Sequence, residues 1–295
     1  MRKTTRLRQL IEGPGLTLMP FTYDAFTARI AEAAGFDAIY VSGFGSAMAK
    51  GYPDVGLITE TEMVQNGWNI ARVTSIPFLM DADTGYGNPL NVWRTVRDYE
   101  AAGVAGCHIE DQVFPKKCGF FAGKQVIPQD EAVQKVRAAL DARTDPDFVI
   151  VARSDALAVN GWEDTLRRCR AYRDAGADMV FVDGIDSLDL LHRYARDLAD
   201  MPKLYNGDLA PAAEIERLGF KAQIHRGPMF AAYKAVREAM RELKERGAVD
   251  TLRYDGSAAG RKAIADLLGL PSFYEMEERY AAPPSLPSSS KRGKG

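Results

Sequence analysis

The stretch Ile76-Pro-Phe-Leu-Met-Asp81-Ala-Asp83-Thr-Gly85-Tyr-Gly87 contains an apolar run of strand length that ends in two carboxylates and then in glycines. This pattern predicts a buried strand that delivers Asp81 and Asp83 to its carboxyl end. Unpaired carboxylates are costly beside so apolar a segment, and a hard cation such as Mg²⁺ would compensate both of them. The alternative is a structural turn with solvated acids, since two acids at this spacing are common.

The same strand character recurs along the chain. Segments with strand character alternate with segments of helical spacing eight times between residues 16 and 225. This alternation implies parallel strands joined by crossover helices, and eight units favour an α/β fold of the closed (β/α)8 (TIM) barrel type over an open doubly wound sheet. No GxGxxG pattern follows the first strand, which weighs against a dinucleotide-binding sheet.

Helical segments continue beyond what a barrel needs. The runs over residues 229–246 and 260–268 follow the eighth predicted strand. We therefore expect a C-terminal helical extension, in one domain that covers residues 1–280. The tail over residues 281–295 consists mainly of Pro, Ser, Lys and Gly, which predicts disorder.

The composition excludes several function classes. The 38 Lys and Arg residues nearly balance the 40 Asp and Glu residues, so no global field attracts nucleic acid or an anionic membrane. No apolar run approaches the roughly 20 residues that span a bilayer. Three cysteines at unrelated spacings, without a signal peptide before them, predict a cytoplasmic protein.

Residues that carry chemistry collect at the predicted strand ends, where a barrel of this kind has its active site. They are Tyr40, Ser42-Gly43-Phe44-Gly45, Asp81, Asp83, Glu110, Asp111, Arg153, Asp183, Asn206 and His225. Each one has a structural alternative, such as a helix cap or an ion pair. Jointly, several acids need a cation to coexist, whereas Arg153 suits a carboxylate or phosphoryl oxygen. The sequence thus predicts a small anion chelated to Mg²⁺, with Mn²⁺ as a second candidate ion.

A loop over residues 112–128 carries a further group of candidates. Its segment Lys116-Lys117-Cys118-Gly119-Phe120 places cations beside a thiol. Adjacent lysines favour the thiolate, which predicts that Cys118 exchanges protons. The glycine-flanked setting is typical of a lid that closes over a reaction. Cys107 and Cys169, in contrast, are predicted to be packing residues.

Six motifs in this order resemble the isocitrate lyase and phosphoenolpyruvate mutase superfamily, and above all its short 2-methylisocitrate lyase-like members. The motifs lie between residues 10 and 230 and are Tyr40-Val-Ser42-Gly43, Gly51-Tyr-Pro-Asp54-Val-Gly56, Asp81-Ala-Asp83-Thr-Gly-Tyr-Gly87, His108-Ile-Glu110-Asp111-Gln112, Lys116-Lys117-Cys118-Gly119 and Val151-Ala-Arg153-Ser-Asp155-Ala156. The resemblance implies a barrel whose eighth helix is exchanged between subunits, usually in a homo-oligomer that is a dimer of dimers.

The resemblance also implies roles for the site residues. The implied metal ligands are Asp83, Asp81, Asp54 and Glu110, the last three partly through water. The residues assigned to catalysis are Cys118 as the proton donor, Tyr40 near the reacting oxygen, Lys117 and Arg153. The residues assigned to substrate binding are Ser42, Gly43, Phe44, Arg153, Asn206, Phe120, Asp183 and His225.

The implied reaction is a Mg²⁺-dependent carbon–carbon cleavage. A small 2-hydroxy di- or tricarboxylic acid, of the 2-methylisocitrate or substituted-malate type, would give a 2-oxo acid and a carboxylate. Two alternatives remain open. They are decarboxylation or hydrolysis of an oxo acid such as oxaloacetate, and P–C chemistry of the carboxyphosphonoenolpyruvate phosphonomutase type. The complete set of acids, arginine and cysteine disfavours a binding protein without catalysis.

The sequence departs from the pattern of these lyases on one side of the predicted pocket. Phe120 stands where they have His, Asp183 where they have Glu, and His225-Arg226-Gly227-Pro228 where they tend to have Tyr-Pro. The metal and oxo-acid end is thus preserved, whereas the pocket for the rest of the substrate differs. Phe120 indicates a less polar or smaller distal group, and His225 and Arg226 are candidates for a replacement charge.

Overall fold

The computed structural model describes residues 1–119, 122–250 and 255–281. Its eight strands run parallel and form a closed barrel in chain order, in which β8 pairs with β1. The predicted (β/α)8 barrel is therefore confirmed. The strands are β1 (Thr17–Thr22), β2 (Ile39–Val41), β3 (Phe78–Asp81), β4 (Gly106–Glu110), β5 (Val149–Ser154), β6 (Met179–Val182), β7 (Lys203–Asn206) and β8 (Ala222–His225).

Helices follow each strand and extend beyond the barrel. They are α1 (Lys3–Glu12), α2 (Ala25–Ala33), α3 (Gly43–Ala49), α4 (Glu60–Ala71), α5 (Pro89–Ala101), α6 (Gln129–Ala142), α7 (Leu157–Asn160), α8 (Trp162–Asp174), α9 (Leu188–Asp197), α10 (Ala212–Arg217), α11 (Gly227–Arg246), α12 (Ala258–Leu267) and α13 (Leu270–Tyr280). The short helix α3 begins after Ser42, whose side chain accepts a hydrogen bond from the Gly45 N–H and so caps the helix.

The alternation of side chains along each strand separates the interior of the barrel from the layer under the helices. Leu79 belongs to the interior cluster, while its neighbours Phe78 and Met80 belong to a cluster that includes helix residues. Asp81 follows Leu79 by two positions and so faces the same way. Because alternate residues face the interior, the polar side chains at the carboxyl ends of the strands meet at one end of the barrel, above its apolar core.

The chain consists of two compact units, Met1–Glu238 and the residues from Ala239 on. That residues 1–280 form one domain stays a prediction. Within the second unit, α12 and α13 pack on each other. The predicted disordered tail, apart from Ala281, lies outside the described residues. Among the helices that are described, none is both long and apolar enough to cross a membrane.

The interior of the barrel provides a test of the fold. Leu204 is fully buried in the interior cluster, so Leu204→Ala should lower the free energy of unfolding by about 2 to 5 kcal/mol. Leu57 is 55% exposed, and we expect Leu57→Ala to change that free energy by less than about 0.5 kcal/mol. Urea denaturation of both variants measures the difference. Equal losses would contradict the assignment of the core.

Candidate active site

A cavity of about 400 Å³ opens at the carboxyl ends of the strands, which is the size of small-molecule sites in proteins. Most of the residues assigned from the sequence line it, namely Tyr40, Ser42, Phe44, Asp54, Asp81, Cys118, Arg153, Asp183 and Asn206. They come from β2, β3, β5, β6 and β7 and from the loops that follow. The closed ring of strands therefore gathers positions that are far apart in sequence.

One end of the cavity is acidic, and its acids surround a single buried ammonium group. The Lys116 Nζ atom lies 2.5 Å from Asp54 Oδ1 and 2.8 Å from Asp83 Oδ1. All three side chains are less than 10% exposed. Lys116 thus neutralises part of the negative charge that Asp54, Asp83, Asp81 and Glu110 bring together.

The remaining negative charge fits a divalent cation. Glu110 Oε1 is buried without a hydrogen bond to any described residue, and Glu110 Oε2 lies 3.3 Å from Arg153 Nη1. Burial raises the pKa of Asp83 to about 7 against the opposing effect of Lys116, and burial also raises the pKa of Glu110 well above its usual range. Asp83 shares Lys116 with Asp54, and Glu110 shares Arg153 with Asp155, so the acids outnumber the cations beside them. We conclude that these acids suit a metal ion.

The acids are not arranged as a complete protein shell around a metal. Within the part of the chain that the structure describes, no three His, Cys, Asp or Glu side chains are grouped in that way. Mg²⁺ typically takes only one or two carboxylates and keeps several waters or substrate oxygens. A partial set of carboxylates, with Glu110 Oε1 left without a hydrogen bond to any described residue, agrees with that mode of binding.

Asp81 is held in place by groups from β2 and β4. It accepts hydrogen bonds from the Tyr40 hydroxyl at 3.2 Å and the Gly43 N–H at 3.0 Å. A Cβ atom at Gly43 would lie only 2.6 Å from Asp81 Oδ2, so this position requires glycine. His108 shares a 2.7 Å hydrogen bond with the Tyr40 hydroxyl, and burial lowers the pKa of His108 to about 4. His108 is therefore neutral at pH 7.

Arg153 enters the cavity from β5 and is fixed by a carboxylate two residues further on. Its Nε and Nη2 atoms donate to Asp155 at 2.8 and 3.0 Å. Asp155 also accepts from Lys124 Nζ at 2.9 Å, and Lys124 donates in turn to Asp183 at 2.9 Å. Charge-assisted pairs of this kind are short and strongly oriented. The network presents Arg153 to the cavity in one orientation.

A further acid supports this network from behind the sheet. Asp111 accepts a hydrogen bond from the Asp155 N–H at 2.8 Å and others from the hydroxyls of Ser154 and Tyr172. It is fully enclosed between β4, β5 and α8 and does not line the cavity. Asp111 therefore fixes the backbone that carries Asp155.

The 112–128 loop brings Cys118 into the cavity and is tied down on both sides. The Cys118 N–H donates to the Asp54 carbonyl at 3.0 Å, and the Gln112 side chain bonds both the N–H and the carbonyl of Lys117. At Gly119 a Cβ atom would overlap the Asp183 carboxylate. These contacts place the loop directly on the barrel mouth, with the Cys118 side chain buried there.

Some predicted site residues do not reach the cavity. Lys117 is exposed, and its ammonium donates to the Gly123 carbonyl, whereas Lys116 enters the acidic end. His225 is half-buried and accepts at Nδ1 from the Gly227 N–H. The Gly43 N–H is engaged by Asp81. Phe120 lies outside the described residues.

The cavity also contains residues that the sequence analysis did not assign to the site. They include Lys116, Lys124 and Leu209. Arg226, which the sequence suggested as a replacement charge, also lines the cavity. Lys124 belongs to the loop that the sequence predicts to be a lid. Nothing in the sequence marked Leu209, because a turn residue after a strand carries no periodic signal.

The fold and the site define a class of protein: a (β/α)8 enzyme with an acidic, metal-suited mouth and a fixed arginine. The chain matches the family model described as phosphoenolpyruvate phosphomutase over residues 7–244. It therefore belongs to the phosphoenolpyruvate mutase and isocitrate lyase superfamily, whose members depend on metal ions.

Similar proteins agree with this assignment. The 2,3-dimethylmalate lyase of Eubacterium barkeri is 38% identical over 95% of this chain and 99% of that protein. The 2-methylisocitrate lyase of Aeropyrum pernix is 39% identical over 93% of this chain and 89% of that protein. A structure of oxaloacetate acetylhydrolase with the inhibitor 3,3-difluorooxalacetate has a TM-score of 0.87 and 34% identity over 94% of this chain and 97% of that one. The chain is an enzyme, and the prediction of a lyase is confirmed by relatives of that name.

The two neighbouring lysines of the lid can be distinguished by stability. Without metal, Lys116→Met leaves two buried carboxylates unpaired and should lower the free energy of unfolding by about 3 to 5 kcal/mol. Lys117→Met removes only an exposed contact and should change it by less than about 0.5 kcal/mol.

Urea denaturation in EDTA measures this difference. Added Mg²⁺ should restore part of the loss in Lys116→Met, because a cation bound by the native state stabilises it. Similar losses for the two variants would show that Lys116 does not balance the acids.

Proposed function

We propose that this protein is a Mg²⁺-dependent carbon–carbon lyase that cleaves a small 2-hydroxy di- or tricarboxylic acid into a 2-oxo acid and a carboxylate. The observation that carries the proposal is the meeting of three groups in one cavity. Asp54, Asp81, the fixed Arg153 and the buried Cys118 line it. Asp83 and Glu110 add their negative charge through contacts with the lining residues Lys116 and Arg153. This combination suits an anionic substrate whose hydroxyl end is activated at the acidic end, whose carboxylate binds Arg153 and whose reacting carbon is protonated by Cys118.

Asp83, Asp81, Asp54 and Glu110 would hold Mg²⁺, with Mn²⁺ as an alternative ion. A hard divalent cation bound there would supply Lewis acidity toward the substrate hydroxyl and positive charge beside the anion that forms. Tyr40 and His108 hold Asp81, and the Tyr40 phenol remains protonated because burial raises its pKa well above the usual range.

The substrate carboxylate next to the hydroxyl binds at Arg153 and Ser42, which face the same cavity. Phe44, Asp183 and Asn206 complete the lining around the substrate. Asp155 and Lys124 keep Arg153 from rotating away, so its orientation is set before the substrate arrives. Preorganised donors of this kind contribute strongly to catalysis.

Cys118 is the proton donor in this scheme. The substrate hydroxyl gives its proton to solvent, the C–O⁻ group becomes the carbonyl of the 2-oxo acid as the neighbouring C–C bond breaks, and the bonding electrons remain on the carbon of the departing fragment. The Cys118 Sγ–H then transfers its proton to that carbon, which yields the carboxylate product, and the thiolate regains a proton from solvent. Cys118 lines the cavity, where it borders the space that the substrate would occupy.

A second candidate function is hydrolysis of oxaloacetate. The similarity to the oxaloacetate acetylhydrolase structure favours it, since that protein shares the fold over nearly the whole chain. Under this alternative the metal site and Arg153 serve the same purpose, while water takes the place of Cys118 as the reacting partner.

The proton donor decides between these functions. Cys118→Ser should reduce the formation of pyruvate or glyoxylate from 2-methylisocitrate, isocitrate or 2,3-dimethylmalate by about a hundredfold or more. Binding of Mg²⁺ and oxalate, measured by calorimetry, should remain within about twofold, because Cys118 does not hold the metal. Cys169→Ser, a change at a buried helix cysteine outside the cavity, serves as the control.

If Cys118→Ser turned over these substrates at the wild-type rate, Cys118 would not be the proton donor. Consumption of oxaloacetate alone, with Cys118 dispensable, would favour the hydrolase.

The enzyme acts as a homo-oligomer, with a dimer of dimers that exchanges a C-terminal helix as the expected form. Apolar residues at helical spacing along α11 are exposed, namely Phe230, Tyr233, Val236, Met240 and Leu243. A stripe of this kind is typical of a surface that a partner covers. The three cysteines, all among the described residues, form no disulfide, which supports a cytoplasmic location.

The oligomer can be tested on α11. Light scattering after size exclusion should give about four times the 32.4 kDa chain mass. Met240→Asp should shift the protein to a smaller species, because it places a charge in the apolar stripe. Ala231→Asp, half a turn away around the same helix, should leave the mass unchanged. A monomeric wild type would contradict the proposal.

A further inference from the structure

The wall of the cavity across from the acidic end is formed by β7 and β8. In a closed ring of eight strands, β3 and β4 lie opposite β7 and β8. The residues that β7, β8 and their following turns contribute to the cavity are Asn206, Leu209 and Arg226. A substrate whose hydroxyl end binds beside Asp81 therefore presents its other end to these three residues.

Arg226 supplies a positive charge to this wall, and its ion pair with Asp208 can be replaced by a pair with another carboxylate. Its Nη2 atom donates to Asp208 Oδ1 at 3.1 Å, and the two side chains are 25% and 45% exposed. Ion pairs with this much contact to water contribute little stability, at most about 1 kcal/mol. Arg153, by comparison, is held by Asp155 in a buried bidentate pair. Breaking the pair between Arg226 and Asp208 therefore costs little free energy, which distinguishes Arg226 from Arg153.

Asn206 lines the same wall and can donate to a carboxylate only through its amide N–H groups. Its Oδ1 atom is buried without a hydrogen bond to the residues that the structure describes, and it needs a donor such as water or a hydroxyl, which an ionised carboxylate does not supply. Arg226 is therefore the group at this wall that attracts a carboxylate. His225, which the sequence suggested as a replacement charge, accepts from the Gly227 N–H instead.

We propose that Arg226 is a specificity-determining residue that exchanges Asp208 for the distal carboxylate of the substrate. The preferred substrate is then a 2-hydroxy tricarboxylic acid rather than a dicarboxylic acid. The third carboxylate belongs to the fragment that leaves, so the second product is a dicarboxylate. Leu209 packs against the carbon chain between the two ends. This inference rests on the proposed lyase function and assigns its substrate class.

The kinetic test compares two substrates that differ by the third carboxylate. Arg226→Gln should lower kcat/KM for 2-methylisocitrate by about tenfold to a hundredfold, mainly through KM, because a charge-assisted hydrogen bond is lost. For 2,3-dimethylmalate we expect a change of less than about threefold. Arg217→Gln, at an exposed arginine of α10, is the matched control and should affect neither substrate. Equal losses on both substrates, or no loss on either, would overturn the role of Arg226.

A binding measurement separates this inference from the lyase proposal. Calorimetry with Mg²⁺ present uses two unreactive probes, tricarballylate with three carboxylates and oxalate, which is too short to reach from the acidic end to Arg226. Arg226→Gln should weaken tricarballylate binding by about tenfold or more and leave oxalate binding within about twofold. Asp208→Asn should tighten tricarballylate binding, since the competing carboxylate is removed. Unchanged tricarballylate binding in both variants would overturn the inference, whereas absence of 2-oxo acid from either hydroxy acid would overturn only the lyase function.

Discussion

The neutralisation of buried charge at the carboxyl ends of β3, β4 and β5 is the constraint on which the active site depends. Asp83, Glu110 and Asp155 lose their hydration there, and a buried ion without a partner is strongly destabilising. Two of the compensating cations, Lys116 and Lys124, come from the 112–128 loop. The position of this loop is therefore tied to the charge balance of the barrel mouth, and with it the position of Cys118.

The two ends of the cavity differ in how firmly their charges are held. At the acidic end, Tyr40, Gly43 and Lys116 fix the carboxylates through direct contacts between buried groups. At the opposite wall, Arg226 and Asp208 remain in contact with solvent. A rigid end suits the reaction that a whole superfamily shares, while an exchangeable end allows substrates of different size and charge. The two ends can differ in rigidity because β3 and β4 carry the acidic end, whereas β7 and β8, on the opposite side of the ring, carry the other.

Several features of the fold and site could be predicted from sequence because they depend on local patterns. The acids Asp81, Asp83 and Glu110 terminate apolar strands, and a period of two places them inside the barrel mouth. Errors arose where no periodicity exists. Lys117 and Lys116 are neighbours in a loop, and only the folded loop shows that Lys116 meets Asp54 and Asp83. In the same way, the turn after β8 directs Arg226 into the cavity and leaves His225 beside Gly227.

The sequence by itself determined the eight strand and helix units, the acids at the strand ends, the lid with its cysteine and the membership of the superfamily. These depend on hydrophobic periodicity and on motifs that are contiguous in the chain. Only the tertiary structure decided which lysine balances the acids, how Asp111 and Asp155 fix Arg153, and which residues face the far end of the substrate. Such pairings join residues from different strands and loops, since ring closure and the burial of charge select them and local sequence does not.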